Sequence, residues 1–121
     1  MNAATPLSDR AYGNSALRSA RDSEYDIISR VTRMLRQADG DPDRIKTIQA
    51  VHKNNELWTA LAADLGHPDN ALPGAIKAGL ISLAFFSLRH GEAVMAGVAK
   101  VGVLIDINMA VLRGLRGEAS A

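Results

Sequence analysis

At 121 residues the chain is long enough for one independently stable domain. Its 47% hydrophobic and 22% charged residues exclude general disorder, and only 4% aromatics leave the core to Ala, Leu, Ile and Val. The formal charge of +1 comes from basic and acidic residues interspersed in both halves, which excludes an extended electrostatic footprint for nucleic acid. Zero cysteines exclude disulfides and thiolate chemistry and suit a reducing cytoplasm.

Residues 1–10 read as a flexible leader around Pro6, with neither the basic nor the apolar region of a secretory signal. Tyr12, Ala16 and Ala20 suggest a short first helix, weakened by Gly13. A clearer helix follows. Ser23 and Asp26 have capping-box spacing, and Ile27, Ile28, Val31, Met34, Leu35 and Ala38 fall on one face, opposite Arg30, Arg33 and Arg36. Gly40 ends it. Asp41-Pro42 then supplies an N-cap and a proline for the first helical position of a helix that runs to about Leu65, before Gly66 and Pro68. Its apolar stripe changes side. At about 100° per residue, Ile45, Ile48 and Val51 face about 60–120° away from Trp58, Leu61 and Leu65, so around Asn54 and Asn55 the helix either bends or changes neighbours.

Asp69-Asn70 offers caps for a helix from about Leu72 to His90. Its apolar residues (Ile76, Leu80, Ile81, Leu83, Phe85, Phe86, Leu88) go all the way round, which predicts a helix buried within a bundle, with Gly91 as its breaker. The last helix is predicted from about Glu92 to Arg113, ending near Gly114 or Gly117, and residues 117–121 read as a frayed tail. Along it Val94, Val98, Val101, Ile105, Asn108 and Leu112 recur at alternating intervals of four and three, the seam of a coiled-coil-like contact with Asn108 in place of an apolar knob. Asp106 lies off that stripe. A carboxylate and an amide among such neighbours need hydrogen-bond partners or water. The pair therefore either fixes a register inside the fold or meets another protein. Gly97 and Gly102, off the seam, would let another helix approach closely. There is no period-2 strand pattern, repeat or linker. The expected fold is all-α, a single compact bundle of four to five helices over residues 11–116.

The apolar second half is not read as a membrane span. The window from Ala71 to His90 contains Pro73, Lys77 and Arg89, and that from Ala93 to Leu112 contains Lys100 and Asp106. Each of these last two charges costs roughly 2.5–3.5 kcal/mol at a bilayer centre. Catalytic chemistry has no visible basis either. His52, His67 and His90 lack metal-ligand spacing apart from the lone pair Asp64–His67, no serine sits in a nucleophile elbow, and no glycine-rich loop follows a strand. No catalytic residue, metal or cofactor is expected. Trp58 reads first as a core anchor and second as a binding hot spot.

Several stretches, in order and spacing, resemble the FlaF family, flagellar biosynthesis regulators of alphaproteobacteria. They are Ala11-Tyr12, Glu24-Tyr25, Asn55-Glu56-Leu57-Trp58 with Leu61 and Asp64-Leu65, then Pro68, Asn70, Leu72-Pro73, Ala78-Gly79-Leu80-Ile81-Ser82-Leu83 and Arg89-His90. Leu104-Ile105-Asp106-Ile107-Asn108 and Gly114-Leu115 complete the match, which covers about residues 11–116. The resemblance implies a cytoplasmic, non-enzymatic chaperone that binds flagellin before export and takes part in post-transcriptional control of flagellin alongside the regulator FlbT. A seam at heptad spacing is compatible with covering the terminal helices of flagellin. The candidate partner-binding residues are Asn55, Leu57 and Trp58 together with Val94, Val98, Val101, Ile105, Asp106, Asn108 and Leu112. A second reading is direct binding of flagellin mRNA. It rests on the Arg30, Arg33 and Arg36 face with Arg18 and Arg21, and lacks an aromatic platform for stacked bases. A third makes FlbT the direct partner.

Overall fold

The computed structural model describes residues 23–115. The expected leader at 1–10, the short helix around Tyr12–Ala20 and the tail at 117–121 lie outside the described residues. Within them are four helices and no strand: α1 over residues 23–38, α2 Arg44–Leu65, α3 Gly74–Met95 and α4 Gly102–Leu115. They form a helical bundle in which α2 packs along α3, and α3 packs against α4. The core joins all four, through Leu35 and Ala38 of α1, Ala50 and Val51 of α2, Val94 of α3, and Leu104 of α4 with Val101 just before it.

α1 buries Ile28, Val31, Thr32, Leu35 and Ala38 along one face, while Arg30, Arg33 and Arg36 stay exposed, as the 3.6-residue period requires. The buried Thr32 hydroxyl is satisfied locally by donating to the Ile28 carbonyl at 2.6 Å. Ser23 already lies within the helix, so the Ser23–Asp26 spacing does not mark its start. The C-terminus falls where glycine predicts it, with Gly40 at φ 81°, a left-handed conformation costly for residues carrying a Cβ.

The N-cap of α2 lies two residues beyond the predicted one. Asp43, not Asp41, caps the helix, its carboxylate accepting from the Ile45 N–H at 3.0 Å. Asp41 instead closes the preceding turn by accepting from the Asp43 N–H at 2.8 Å, and it pairs with the Lys46 ammonium at 3.3 Å. The Asp43 N–H, then Lys46, hold the Asp41 carboxyl below the usual aspartate range, against a smaller opposing effect of desolvation. α2 is uninterrupted across Asn54 and Asn55, and the apparent change of stripe has a simple cause. Ile45 and Ile48 face outward, 63% and 40% exposed, and the buried stripe is Ala50, Val51, Asn54, Trp58 and Leu65.

Gly91 does not break α3. The helix runs through it to Met95, and the chain reverses at Gly97, with φ 83°. There the Gly97 N–H donates to the Val94 carbonyl and the Val98 N–H to the Ala93 carbonyl, both at 3.0 Å, the paired bonds of a Schellman ending. The Arg44 guanidinium, at the start of α2, donates to the Val94 and Met95 carbonyls, placing a cation at the negative end of the α3 dipole. Gly91 has another role. Any Cβ there would stand 2.5 Å from Asn55 Oδ1 and 3.3 Å from Val51 Cγ1, so its missing side chain lets α2 close on α3. Consequently α4 begins at Gly102, ten residues later than the predicted Glu92. The intervening turn is held by the His90 ring, whose Nε2 lies 2.9 Å from the Lys100 carbonyl and which stacks on Phe86. Gly97 and Gly102 therefore mark a helix end and a helix start, not a close helix approach.

Nor is α3 buried all round. Only Ala84, Ser87, Gly91 and Val94 are fully enclosed, all toward its C-terminal end, while Ile76, Phe85 and Phe86 remain exposed. The start of α3 has no side-chain cap; Pro73 occupies that position, and Asn70 acts in the loop before it, accepting from the Leu72 N–H at 3.1 Å.

These roles separate three glycines. Gly97→Ala should cost roughly 1–2 kcal/mol through left-handed strain. Gly91→Ala should cost about 1–3 kcal/mol by overpacking, with part recovered when Asn55→Ala is added. Gly79→Ala, where a Cβ meets open space in a helix, should instead stabilise by roughly 0.5–1 kcal/mol. Chemical denaturation of the variants measures all three. A pH effect follows from Asp41. Its lowered folded-state pKa means that its contribution is present above the unfolded value and lost as pH falls through the folded one. An NMR titration should place its midpoint below that of ordinary aspartates, and Lys46→Ala should raise it.

Candidate functional site

Two features distinguish this bundle from a simple hydrophobic one: a polar layer inside it and an uncovered apolar helix outside. The layer is formed by Asn54 and Trp58, one turn apart on α2, and Asn108 on α4. The Trp58 indole Nε1 donates to Asn108 Oδ1 at 2.9 Å, and Asn108 Nδ2 donates to Asn54 Oδ1 at 2.8 Å. All three side chains are essentially inaccessible to water. The polarity of the chain is forced. An indole N–H can only donate, so Asn108 must turn its oxygen to Trp58 and its NH₂ to Asn54, which must accept. Asn54 Nδ2 and the buried Ser87 hydroxyl of α3 have no hydrogen-bond partner among the described residues.

The sequence-predicted seam is thus divided rather than continuous. Val94 is buried on α3, Val98 is 78% exposed in the turn, and Val101, Asn108 and Leu112 are buried in the core together with Leu104. Ile105 is half-buried and Asp106 exposed; both line a shallow depression with Arg36, Asp39 and Gly102. Trp58 is a core anchor and Leu57 is half-buried. Asn55, half-buried, rests its oxygen against Gly91 and lines an open, mostly apolar depression along α2 with His52, Glu56, Thr59, Ala60 and Ala63. The structure therefore brings Asn108 and Trp58 together inside the molecule and leaves Asn55, Val98 and Asp106 on separate surfaces.

Sequence reasoning passed over two elements. Asn54 joins the polar layer, and its signal was its place in the 51–54–58–65 spacing, hidden because only apolar residues were counted. The second is the outward face of α3. Phe85 is 56% exposed, Ile76 50% and Phe86 41%, among the exposed small residues Ala75, Ala78, Gly79 and Ser82. Between Gly74 and Leu88 the only charged residue is Lys77. Aromatic side chains uncovered on a nearly uncharged helix form the kind of patch that marks an interaction surface. Among the described residues no cluster of His, Asp and Glu could hold a metal ion, and no helix is long and apolar enough to cross a membrane.

Fold and surface together define a small all-α bundle that is closed by a polar layer and presents one apolar helix face outward. The family model of the flagellar protein FlaF matches residues 8–115, and the chain belongs to that family. No curated protein and no solved structure matches it.

The polar layer makes Asn108 a stability determinant. Asn108→Leu leaves the Trp58 N–H and the Asn54 carbonyl oxygen buried without partners, at roughly 1–3 kcal/mol for each orphaned group. The variant should therefore unfold at markedly lower denaturant. Asp106→Asn, on the exposed side of α4, should change stability little, and its effect should add to that of Asn108→Leu.

Proposed function

We propose that this FlaF-family protein is a cytoplasmic, non-enzymatic chaperone that holds a terminal helix of flagellin before export and through that complex regulates flagellin production. The observation that carries the reading is the outward face of α3. A helix of 22 residues is about 33 Å long, enough to support several turns of a partner helix. Its exposed Phe85, Phe86 and Ile76 offer an amphipathic segment apolar surface that water otherwise covers. A free flagellin subunit has the complementary problem, because its long terminal helices pair with one another only in the filament.

The mRNA reading has less support. Arg30, Arg33 and Arg36 are exposed on α1, but no exposed aromatic accompanies them there to stack a base. FlbT as the direct partner would use the same protein-binding chemistry, and capture with purified FlbT or purified flagellin separates the two.

Co-expression with the flagellins of the same organism, followed by affinity capture, tests the reading. A stoichiometric complex that survives RNase is expected. Phe85→Asp with Phe86→Asp should abolish it while leaving the melting temperature nearly unchanged, since neither ring is in the core. Absence of a complex with any flagellin, or a complex indifferent to that double variant, would count decisively against it.

A further inference from the structure

The uncovered face of α3 carries information about the charge of what binds it. From Leu72 to His90 there is no acidic residue, and the two permanent charges are Lys77, half-buried near the start, and Arg89, exposed near the end. They are twelve residues apart, which along a helix is about 18 Å. On the wheel, at about 100° per residue, they stand about 120° apart with Phe85 between them. Neither makes an ion pair within the described residues, whereas Lys46 and Lys53 on α2 each have an acidic partner, Asp41 and Glu56. The apolar strip is thus bracketed at both ends by cations that the fold leaves unpaired.

We propose that the partner segment is an amphipathic helix lying along α3, its apolar stripe on Phe85 and Phe86 and carboxylates near both ends of that stripe, about 18 Å apart, facing Lys77 and Arg89. This rests on the α3 reading above and adds to it the partner's charge pattern. The small exposed residues Ala78, Gly79 and Ser82 let the partner backbone approach between those ends. Rim cations of this kind steer association and fix axial register more than they add affinity, because exposed ion pairs are weak and screened by salt. They also disfavour a helix with basic residues at the same positions, which gives discrimination among otherwise similar apolar helices.

The test is the affinity of the full chain for the captured flagellin, measured at low and high salt, for the Lys77→Glu/Arg89→Glu double variant. Arg33→Glu on the exposed face of α1 serves as the charge control. The double variant should weaken binding by about three- to tenfold at low salt, and the difference should shrink as salt is raised. Arg33→Glu should bind like the parent. Equal affinity for the double variant and the parent at low salt, with binding still abolished by Phe85→Asp/Phe86→Asp, would overturn the charge pattern and leave the apolar docking face standing. Binding indifferent to the phenylalanine variants would remove the docking face itself, and the charge proposal with it.

Discussion

The chain of hydrogen bonds from the Trp58 indole through Asn108 to Asn54 is the constraint around which the bundle is arranged. Packing of aliphatic side chains tolerates small slides and rotations, because one methyl group replaces another at little cost. A buried donor–acceptor chain does not, since a displacement of one helical turn leaves every member unpaired in a medium without water. The three residues therefore hold α4 against α2 both along and around its axis. With Asn108 turned inward, Leu104 and Leu112 follow it into the core on the same face, and Asp106 is carried to the outside. An apolar layer would give at least comparable stability. What the polar one adds is a single permitted register, the role attested for buried asparagine in coiled coils.

α3 connects this interior to the outer surface. Its last turns belong to the core through Gly91 and Val94, and its first half stands largely uncovered. The close approach at Gly91 is what makes this division: α2 comes near enough at that level for Asn55 and Val51 to contact the glycine. Because the helix then continues to the Schellman ending at Gly97, the turn into α4 is delayed and α4 is short. Arg44 and His90 secure that corner from either side, one on the α3 carbonyls and one on the turn.

Membership of the FlaF family places the protein in flagellar biology. The described residues show a binding surface more clearly than any chemistry. The internal amide is committed to Trp58 and Asn54, so Asn108 is not available to a partner in this arrangement. The exposed phenylalanines are. A protein that keeps amphipathic helices apart before assembly needs a stable bundle and an apolar face that does not compromise it, and here the two tasks fall on opposite sides of α3.

Local order was legible in the amino-acid sequence. The all-α fold, the stripe of α1, the left-handed stop at Gly40 and the end of α2 before Gly66 follow from hydrophobic period and glycine chemistry within a few residues of each other, as does the likeness to the FlaF family. Three matters were decided only by the tertiary structure. Gly91 and Gly97 look alike as residues, and their roles differ because Asn55, 36 positions away in the chain, packs on the first and nothing encloses the second. A helix apolar all round carries no signal of which face is covered, so the exposure of Phe85 and Phe86 depends on where the other helices stop. Asn54 and Asn108 each read as an interruption of a stripe. They are one feature, because a buried amide takes its meaning from its hydrogen-bond partner, and that partner lies 54 residues away, outside the reach of any local pattern.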